Sequence, residues 1–239
     1  MIKVENLEVR FGGVKPIDQM SVTFPAGTCG LIGPNGAGKT TFFNVLSGFV
    51  KPAGGTVTAF DENLLAMTDF RRARWGLRRT FQTEQAIEEL SMYDNVAMVE
   101  EHSTSNGGGS RREDVVGALE FVGLGGRDPG TKVGTLGARE RRLVEIARAV
   151  VGKPRAVLLD EPAAGLPDEE TVHMGTVIRR IPKEIGALVI LVDHDMTLVS
   201  ACCELTSVLD FGKLIASGPT EEVLRDEQVI RAYLGAEEI

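Results

Sequence analysis

Short runs of alternating apolar and polar residues open the chain and predict β-strands. Residues 4–9 and 21–24 alternate with the two-residue period of a strand that buries one face. Glycine and proline turn signals separate these runs, at Gly12-Gly13 and at residues 25–27. Strands therefore begin this chain.

Further along, the apolar pattern becomes continuous. Thr28 to Ile32 is a short apolar run that leads into a glycine-rich loop, and Thr40 to Ser47 has a helical pattern that ends at Gly48. Residues 156–159 and 187–192 are unbroken apolar runs, which are typical of strands buried on both faces of a parallel sheet. Acidic residues follow both runs: Asp160 and Glu161 follow the first, and Asp193 follows the second. These positions are the carboxyl ends of the predicted strands, where α/β sheets bind their ligands.

Between residues 84 and 152 the period changes to that of helices, which predicts an inserted helical lobe. Within it, residues 103–110 are polar and glycine-rich, and we interpret them as a spacer loop. Residues 220–234 again have helical periodicity. Two apolar helical faces support the lobe, one formed by Val115, Leu119 and Val122 and the other by Leu143, Ala147, Val150 and Val151.

Composition fits one compact domain. The chain has 239 residues, 43% of them apolar, and 26 basic against 34 acidic side chains give a net charge of −8. No apolar run approaches the roughly 18 residues that a membrane span needs, so we expect no membrane-spanning helix. The first residues do not have the pattern of a secretory signal, so we expect no such signal. The acidic total argues against nucleic acid as the main partner.

The three cysteines, Cys29, Cys202 and Cys203, have neither the number nor the spacing of a disulfide framework or a zinc site. We interpret them as buried, inert thiols of a protein in a reducing cytosol.

The glycine-rich loop has the strongest chemical signal. Residues 33–40 match the phosphate-binding pattern GxxxxGK[ST] at every fixed position, between a predicted strand and a predicted helix. In such a loop, backbone N–H groups and the helix N-terminus hold phosphate oxygens. Lys39 is expected to reach the β- and γ-phosphates, and the Thr40 hydroxyl to bind Mg²⁺.

A metal partner for that loop is predicted at Asp160, which can hold Mg²⁺ through water at the end of its strand. Glu161 is then the free carboxylate that orients or deprotonates an attacking water. Taken alone, such acids can merely cap the next helix; their combination with the phosphate loop favours the catalytic interpretation.

Together these residues resemble the nucleotide-binding subunits of ABC transporters, and the resemblance covers nearly the whole chain. It implies an α/β fold: a P-loop NTPase (RecA-like) core, an N-terminal antiparallel β subdomain and an inserted α-helical subdomain at residues 84–152, all within one nucleotide-binding domain, residues 1–239. It also implies ATP and Mg²⁺ as cofactors, with Gln82 near the metal and the water, Phe11 stacked on adenine, and His194 as a switch that contacts the γ-phosphate. The expected nucleotide-binding residues of the loop are Gly33, Pro34, Asn35, Gly36, Ala37, Gly38, Lys39, Thr40 and Thr41.

The signature segment departs from the family pattern. Members typically carry Leu-Ser-Gly-Gly-Gln before a helix, where this chain has Leu136, Gly137, Ala138 and Arg139, followed by Glu140. The family's serine hydroxyl is absent, and Arg139 stands in place of a glycine. Two interpretations stay open: Arg139 compensates in part by contacting the phosphate of a second subunit, or the segment is a weak signature in one of two unequal composite sites.

The nearest branch by motif is that of the branched-chain amino-acid importers and their relatives, which include urea and aromatic-acid importers. It implies a cytoplasmic ATPase on the inner face of the plasma membrane that dimerises with itself or a paralogue. Its partners would be transmembrane permease subunits and, indirectly, a solute-binding protein, with no nucleic acid. Two other classes are weighed: a non-transport ABC ATPase acting on nucleic acid, and a small-molecule kinase.

Two segments suggest surfaces. The basic stretch at residues 70–79, which contains Trp75, is interpreted as a solvated face with a packed tryptophan, or as a contact with the transport partner. Residues 83–98 lie where the family docks a permease helix, so we expect the apolar side chains of Ile87, Leu90 and Met92 at that interface rather than in the core.

Overall fold

A computed structural model describes residues 1–101 and 111–234 of the chain. The predicted spacer at residues 103–110 and the acidic tail after Leu234 lie outside the described residues. None of the helices in the described part is both long enough and apolar enough to cross a membrane.

The N-terminal strands form an antiparallel sheet. Its four strands are β1 (Ile2–Phe11), β2 (Val14–Phe24), β4 (Gly54–Ala59) and β5 (Glu62–Asn63). They lie in the order β2, β1, β4 and β5. The alternation noted in the sequence decides which face is buried, because the side chains of Ile2, Val4, Leu7 and Val9 all point into the core.

A second sheet of six strands lies at the centre of the fold. The strands are β3 (Thr28–Ile32), β6 (Leu77–Arg79), β7 (Ala156–Asp160), β8 (Leu188–Val192), β9 (Leu205–Asp210) and β10 (Lys213–Pro219). Their order is β10, β9, β3, β8, β7 and β6; the last five are parallel, and β10 pairs antiparallel with β9 at the edge. Every residue of β3, β7 and β8 is buried, as their continuous apolar sequences predict.

Helices cover both faces of this sheet and give it two cores. On one face, Leu31, Leu158 and Ile190 pack with the first helix and the antiparallel sheet. On the other face, Val157, Leu159 and Val189 pack with the remaining large helices. The helices are α1 (Lys39–Ser47), α2 (Asp69–Trp75), α3 (Met92–Glu100), α4 (Arg111–Phe121), α5 (Ala138–Val150), α6 (Asp168–Arg180), α7 (Met196–Cys202), α8 (Thr220–Val223) and α9 (Glu227–Leu234).

Helices α3, α4 and α5 fall within residues 84–152, and both predicted apolar faces are buried there. The limits of an inserted lobe stay a prediction. All three cysteines are buried and free, as expected.

Two surface predictions are wrong in part. Met92 is fully buried in the core, so its side chain is not available to a permease helix, whereas Ile87 is exposed and Leu90 half-buried. In the basic stretch, Arg72 is buried because its guanidinium donates to the carbonyls of Val45 and Leu46 at the end of α1. The packing predicted for Trp75 is confirmed: its ring contacts Phe60 and its Nε1 donates to Glu62.

Candidate active site

The phosphate loop joins the buried strand β3 to α1. Gly33 and Gly38 both have positive φ angles, 150° and 110°, and neither has room for a side chain. A Cβ atom would lie 2.0 Å from the Leu209 carbonyl oxygen at Gly33 and 2.2 Å from the Pro16 carbonyl oxygen at Gly38. The loop is therefore folded tightly against neighbouring backbone, and only glycine permits this path.

Gly38 is also the N-cap residue of α1, and no side chain accepts a hydrogen bond from the amides of the first turn. Those N–H groups and the positive end of the helix dipole are the elements from which proteins build anion sites. The second residue of α1 is Thr40, which brings its hydroxyl to the same end of the helix.

Lys39 lies inside the loop, with 9% of its surface exposed. Its Nζ donates to the carbonyl oxygens of Gly33 and Pro34 at 2.5 and 2.9 Å. Burial lowers the pKa of Lys39, and the negative charges of Glu161 and Asp160 oppose that effect. A phosphate entering the loop would offer the ammonium group a charged acceptor in place of two neutral carbonyls.

Asp160 ends strand β7 and is 4% exposed. Its Oδ2 lies 2.9 Å from NH2 of Arg79, and its backbone N–H donates to the Thr80 hydroxyl at 3.1 Å. Burial raises the pKa of Asp160, and the hydrogen bond and charge of Arg79 act in the opposite direction.

Glu161 follows directly and has a left-handed backbone, with φ of 48°. Its N–H donates to the Val192 carbonyl of the adjacent strand at 2.8 Å, which holds this turn in place. Nε2 of Gln82 donates to Glu161 Oε2 at 2.9 Å, and Nδ1 of His194 lies 3.7 Å from Oε1. Two residues predicted from distant parts of the sequence, Gln82 and His194, thus meet around the Glu161 carboxylate.

The donor set fits a nucleotide-bound magnesium ion. Within residues 1–101 and 111–234, no group of three or more His, Cys, Asp or Glu side chains could hold a metal unaided. Mg²⁺ commonly takes one or two protein oxygens and completes its shell with phosphates and water. The hydroxyl of Thr40, the side-chain oxygen of Gln82 and the carboxylate of Asp160, which the sequence predicts to act through water, would hold the ion on the protein side.

Comparison with known proteins agrees with this geometry. The family model described as "ABC transporter" matches residues 17–164, more than half of the chain. The chain belongs to the ABC transporter ATPase family. A second model, described as "Branched-chain amino acid ATP-binding cassette transporter", matches residues 213–239.

Individual relatives span nearly the whole of this ABC ATPase. The High-affinity branched-chain amino acid transport ATP-binding protein LivG of Escherichia coli is 34% identical, over 98% of each chain. The Lipopolysaccharide export system ATP-binding protein LptB of Escherichia coli is also 34% identical, over 98% of this chain and 97% of LptB. Among solved structures, the ADP conformation of MJ1267, an ATP-binding cassette of an ABC transporter, has a TM-score of 0.87 and 26% identity, over 98% of each chain. The predicted fold class is thereby confirmed.

The signature segment of the ABC ATPase lies apart from the phosphate loop. None of the hydrogen bonds or ion pairs within the described part of the chain joins residues 136–139 to residues 33–41. The Leu136 side chain is buried in the core, so only its backbone could face a nucleotide. Glu140 caps its own helix by accepting from the Gly137 N–H at 3.3 Å. Nε of Arg139 is buried without a hydrogen-bond partner in the described chain.

Charged side chains tie the segment after Gln82 to α5. Arg141 pairs with Glu84 at 2.9 Å, and Glu145 accepts from the Gln85 N–H at 2.5 Å. Burial raises the pKa of Glu145. These contacts link the helix that carries the signature to the segment that follows Gln82.

Phe11 is half exposed at the end of β1, opposite Val14 in the β1–β2 hairpin. The same hairpin contributes Pro16, whose carbonyl lies against Gly38. The ring therefore stands on a hairpin that touches the phosphate loop, which is a position compatible with the predicted stacking on adenine.

Sequence analysis missed two residues of the site. Arg79 was assigned to a solvated basic stretch, although its side chain is 7% exposed and pairs with Asp160. Its place three residues before Gln82, in a strand parallel to β7, was the available signal. Asn44 of α1 was not singled out, and its Oδ1 accepts from Arg79 NH1 at 2.7 Å.

Proposed function

We propose that this ABC ATPase binds Mg·ATP at the phosphate loop and hydrolyses it to drive the import of branched-chain amino acids or related small solutes. The observation that carries the hydrolytic part is the meeting of Gln82 and His194 at Glu161, directly after Asp160. The match of residues 213–239 to the branched-chain amino-acid family supports the solute class.

We assign each residue of the site a role in ATP binding or hydrolysis from its position. Lys39 and the loop amides would bind the phosphates, and Phe11 would stack on the base. Thr40, Asp160 and Gln82 would hold the magnesium ion, which supplies charge neutralisation at the phosphates. Glu161 would orient and deprotonate the attacking water, and His194 would contact the γ-phosphate.

The proposed partners follow from the family and from one surface. A groove of about 380 Å³ is lined by exposed Phe49 and Phe70 together with Arg78 and Phe81, next to Gln82. We propose it as part of the surface for a transmembrane permease subunit. A second ATPase subunit, identical or paralogous, would bring its signature segment to the nucleotide, and a solute-binding protein would act through the permease. In this proposal the ATPase is cytoplasmic and peripheral on the inner face of the plasma membrane, and it has no nucleic acid as a partner.

Hydrolysis is tested with Glu161→Gln, which keeps the shape of the side chain and removes the base. We expect turnover to fall by at least a hundredfold with ATP affinity changed less than threefold, because the residue acts on the water rather than on nucleotide binding. Glu222→Gln, the same exchange at an exposed position on α8, serves as control. Retained turnover in Glu161→Gln would remove the role of Glu161.

Solute and direction need a separate test, because the identity to LptB equals that to LivG. The ATPase would be co-purified with its permease subunits, reconstituted in vesicles and supplied with radiolabelled leucine and the solute-binding protein. ATP-dependent uptake, abolished by Glu161→Gln, supports import. Extraction of lipopolysaccharide instead of leucine uptake would favour an export role, and salt-sensitive DNA or RNA binding would favour a nucleic-acid-dependent ATPase.

A further inference from the structure

Arg79 connects three elements of the site although it ends a strand of only three residues. Its NH2 lies 2.9 Å from Asp160 Oδ2, at the end of β7. Its NH1 donates to Asn44 Oδ1 at 2.7 Å and lies 3.4 Å from Ser47 Oγ, both on α1. The guanidinium therefore bridges the helix of the phosphate loop and the carboxylate proposed for the metal.

Two aromatic rings flank that guanidinium. Its central carbon lies 5.4 Å from the ring centroid of Phe43 and 4.9 Å from that of Phe81. The flat, delocalised cation suits such stacking, and its fork reaches two acceptors at once, which a lysine ammonium cannot do with the same geometry. Arg79 is thus fixed by packing as well as by hydrogen bonds.

Asp160 is fixed in turn. Arg79 holds Oδ2, and Thr80 accepts from the backbone N–H of the same residue. Within the described part of the chain, this pairing leaves Oδ1 for a metal ion or its water. We propose that Arg79 is a positioning residue that presents Asp160 to the nucleotide-bound metal ion. The proposal rests on the role proposed above for Asp160.

A role of Arg79 through its charge alone and a role in positioning Asp160 predict opposite effects of an Arg79 substitution on metal affinity. A cation next to a metal site repels the metal, so if Arg79 acted only through its charge, removing it would tighten metal binding. If Arg79 positions Asp160, removing it weakens metal binding, because hydrogen-bond partners of ligating carboxylates typically contribute 10- to 100-fold to metal affinity. Arg79→Lys separates the two effects, since it keeps the charge and loses the fork.

The experiment measures Mn²⁺ affinity of the ADP-bound protein by electron paramagnetic resonance, and ADP affinity without metal by calorimetry. We expect Arg79→Lys and Arg79→Gln to weaken Mn²⁺ binding by about tenfold and to leave metal-free ADP binding within twofold. Asp160→Asn should weaken Mn²⁺ binding at least as much. The double variant Arg79→Gln/Asp160→Asn should be no worse than Asp160→Asn alone, because both changes remove one interaction.

The matched control is Arg155→Gln, whose guanidinium likewise pairs with a carboxylate, that of Glu62 at 2.7 Å, and lies 4.8 Å from the ring centroid of Trp75. Unchanged or tighter Mn²⁺ binding in both Arg79 variants, or equal weakening in Arg155→Gln, overturns the proposal while the role of Asp160 stands. Unchanged Mn²⁺ binding in Asp160→Asn removes the proposed metal role of Asp160 itself. If thermal melting shows that the Arg79 variants do not fold, Asn44→Ala decides: a threefold weakening supports the proposal, and no change overturns it.

Discussion

Asp193 follows strand β8 beside the site, and the structure makes a specific prediction about its replacement by asparagine. The residue is 2% exposed. Its Oδ1 accepts from the Asp195 N–H at 2.9 Å, whereas its Oδ2 is buried without a partner in the described chain. Burial raises the pKa of Asp193 from its ordinary 3.8 to about 6. The folded protein therefore carries a costly charge at neutral pH, and Asp193→Asn removes it.

The size of the effect follows from linkage. Between pH 3.8 and 6 the folded chain binds more protons at this carboxyl than the unfolded chain, so the stability of the wild type falls as pH rises through that window. A shift of about two pH units corresponds to a cost of about 3 kcal/mol once the carboxyl is fully ionised, above pH 7. At pH 5, where most folded molecules are protonated, about half of that cost remains.

Asp193→Asn should therefore gain stability relative to the wild type as pH rises from 5 to 8, by about 1.4 kcal/mol. The absolute gain at pH 8 is smaller than about 3 kcal/mol, because the new amide nitrogen is buried at the place of the unpartnered Oδ2. The assay is urea unfolding of the nucleotide-free protein, followed by circular dichroism at pH 5, 6, 7 and 8. Asp61→Asn, the same exchange in an exposed turn, is the control. Parallel stability curves for wild type and Asp193→Asn would refute the reasoning.

Three further predictions concern the phosphate loop, the signature segment and His173. Gly38→Ala places Cβ 2.2 Å from the Pro16 carbonyl oxygen and should abolish nucleotide binding. Gly36 has a φ of 79°, but no atom lies within 4 Å of the Cβ that alanine would add. Gly36→Ala should therefore cost only about 1–2 kcal/mol of folding stability. An equal loss of nucleotide binding in the two variants, measured by calorimetry, would contradict the geometry. Arg139→Ala should lower ATP hydrolysis by the assembled transporter, and unchanged activity would exclude compensation for the missing serine. In the isolated chain, burial lowers the pKa of His173, and the positive charge of Arg139 lowers it further. Arg139→Ala should therefore raise the pKa of His173, which an NMR titration measures.

The parts of the fold that sequence analysis could predict are those in which local pattern and burial agree. Strands β3, β7 and β8 are buried on both faces, so their apolar runs leave no alternative, and the helix after the phosphate loop ends at Gly48, as predicted. The site residues Glu161, Gln82 and His194, expected to act together, do lie together, although their roles stay predictions.

The rest could not be predicted because it depends on contacts between distant residues. Arg79 and Asp160 are 81 positions apart, and a basic stretch with a tryptophan is typical of a solvated surface until strand pairing is known. The burial of Arg72 could not be predicted for the same reason, since its guanidinium donates to the Leu46 carbonyl at the end of α1, 26 residues earlier in the chain. Met92 was placed at an interface because residues 83–98 lie where the family docks a permease helix, but it begins α3 with its side chain turned into the core.

The three acids at the strand ends are held in different ways, and the difference supports a division of labour. Asp160 pairs with a stacked, buried cation, so its position is fixed before any metal arrives. Glu161 has a neutral amide and a largely exposed imidazole as neighbours, so its carboxylate can exchange Gln82 for a water molecule with little loss of charge pairing. Asp193 bonds to a backbone amide and is easily neutralised below pH 6. Asp160 is therefore the carboxylate that we propose for metal binding, and Glu161 is the one that we propose for activating the water in ATP hydrolysis.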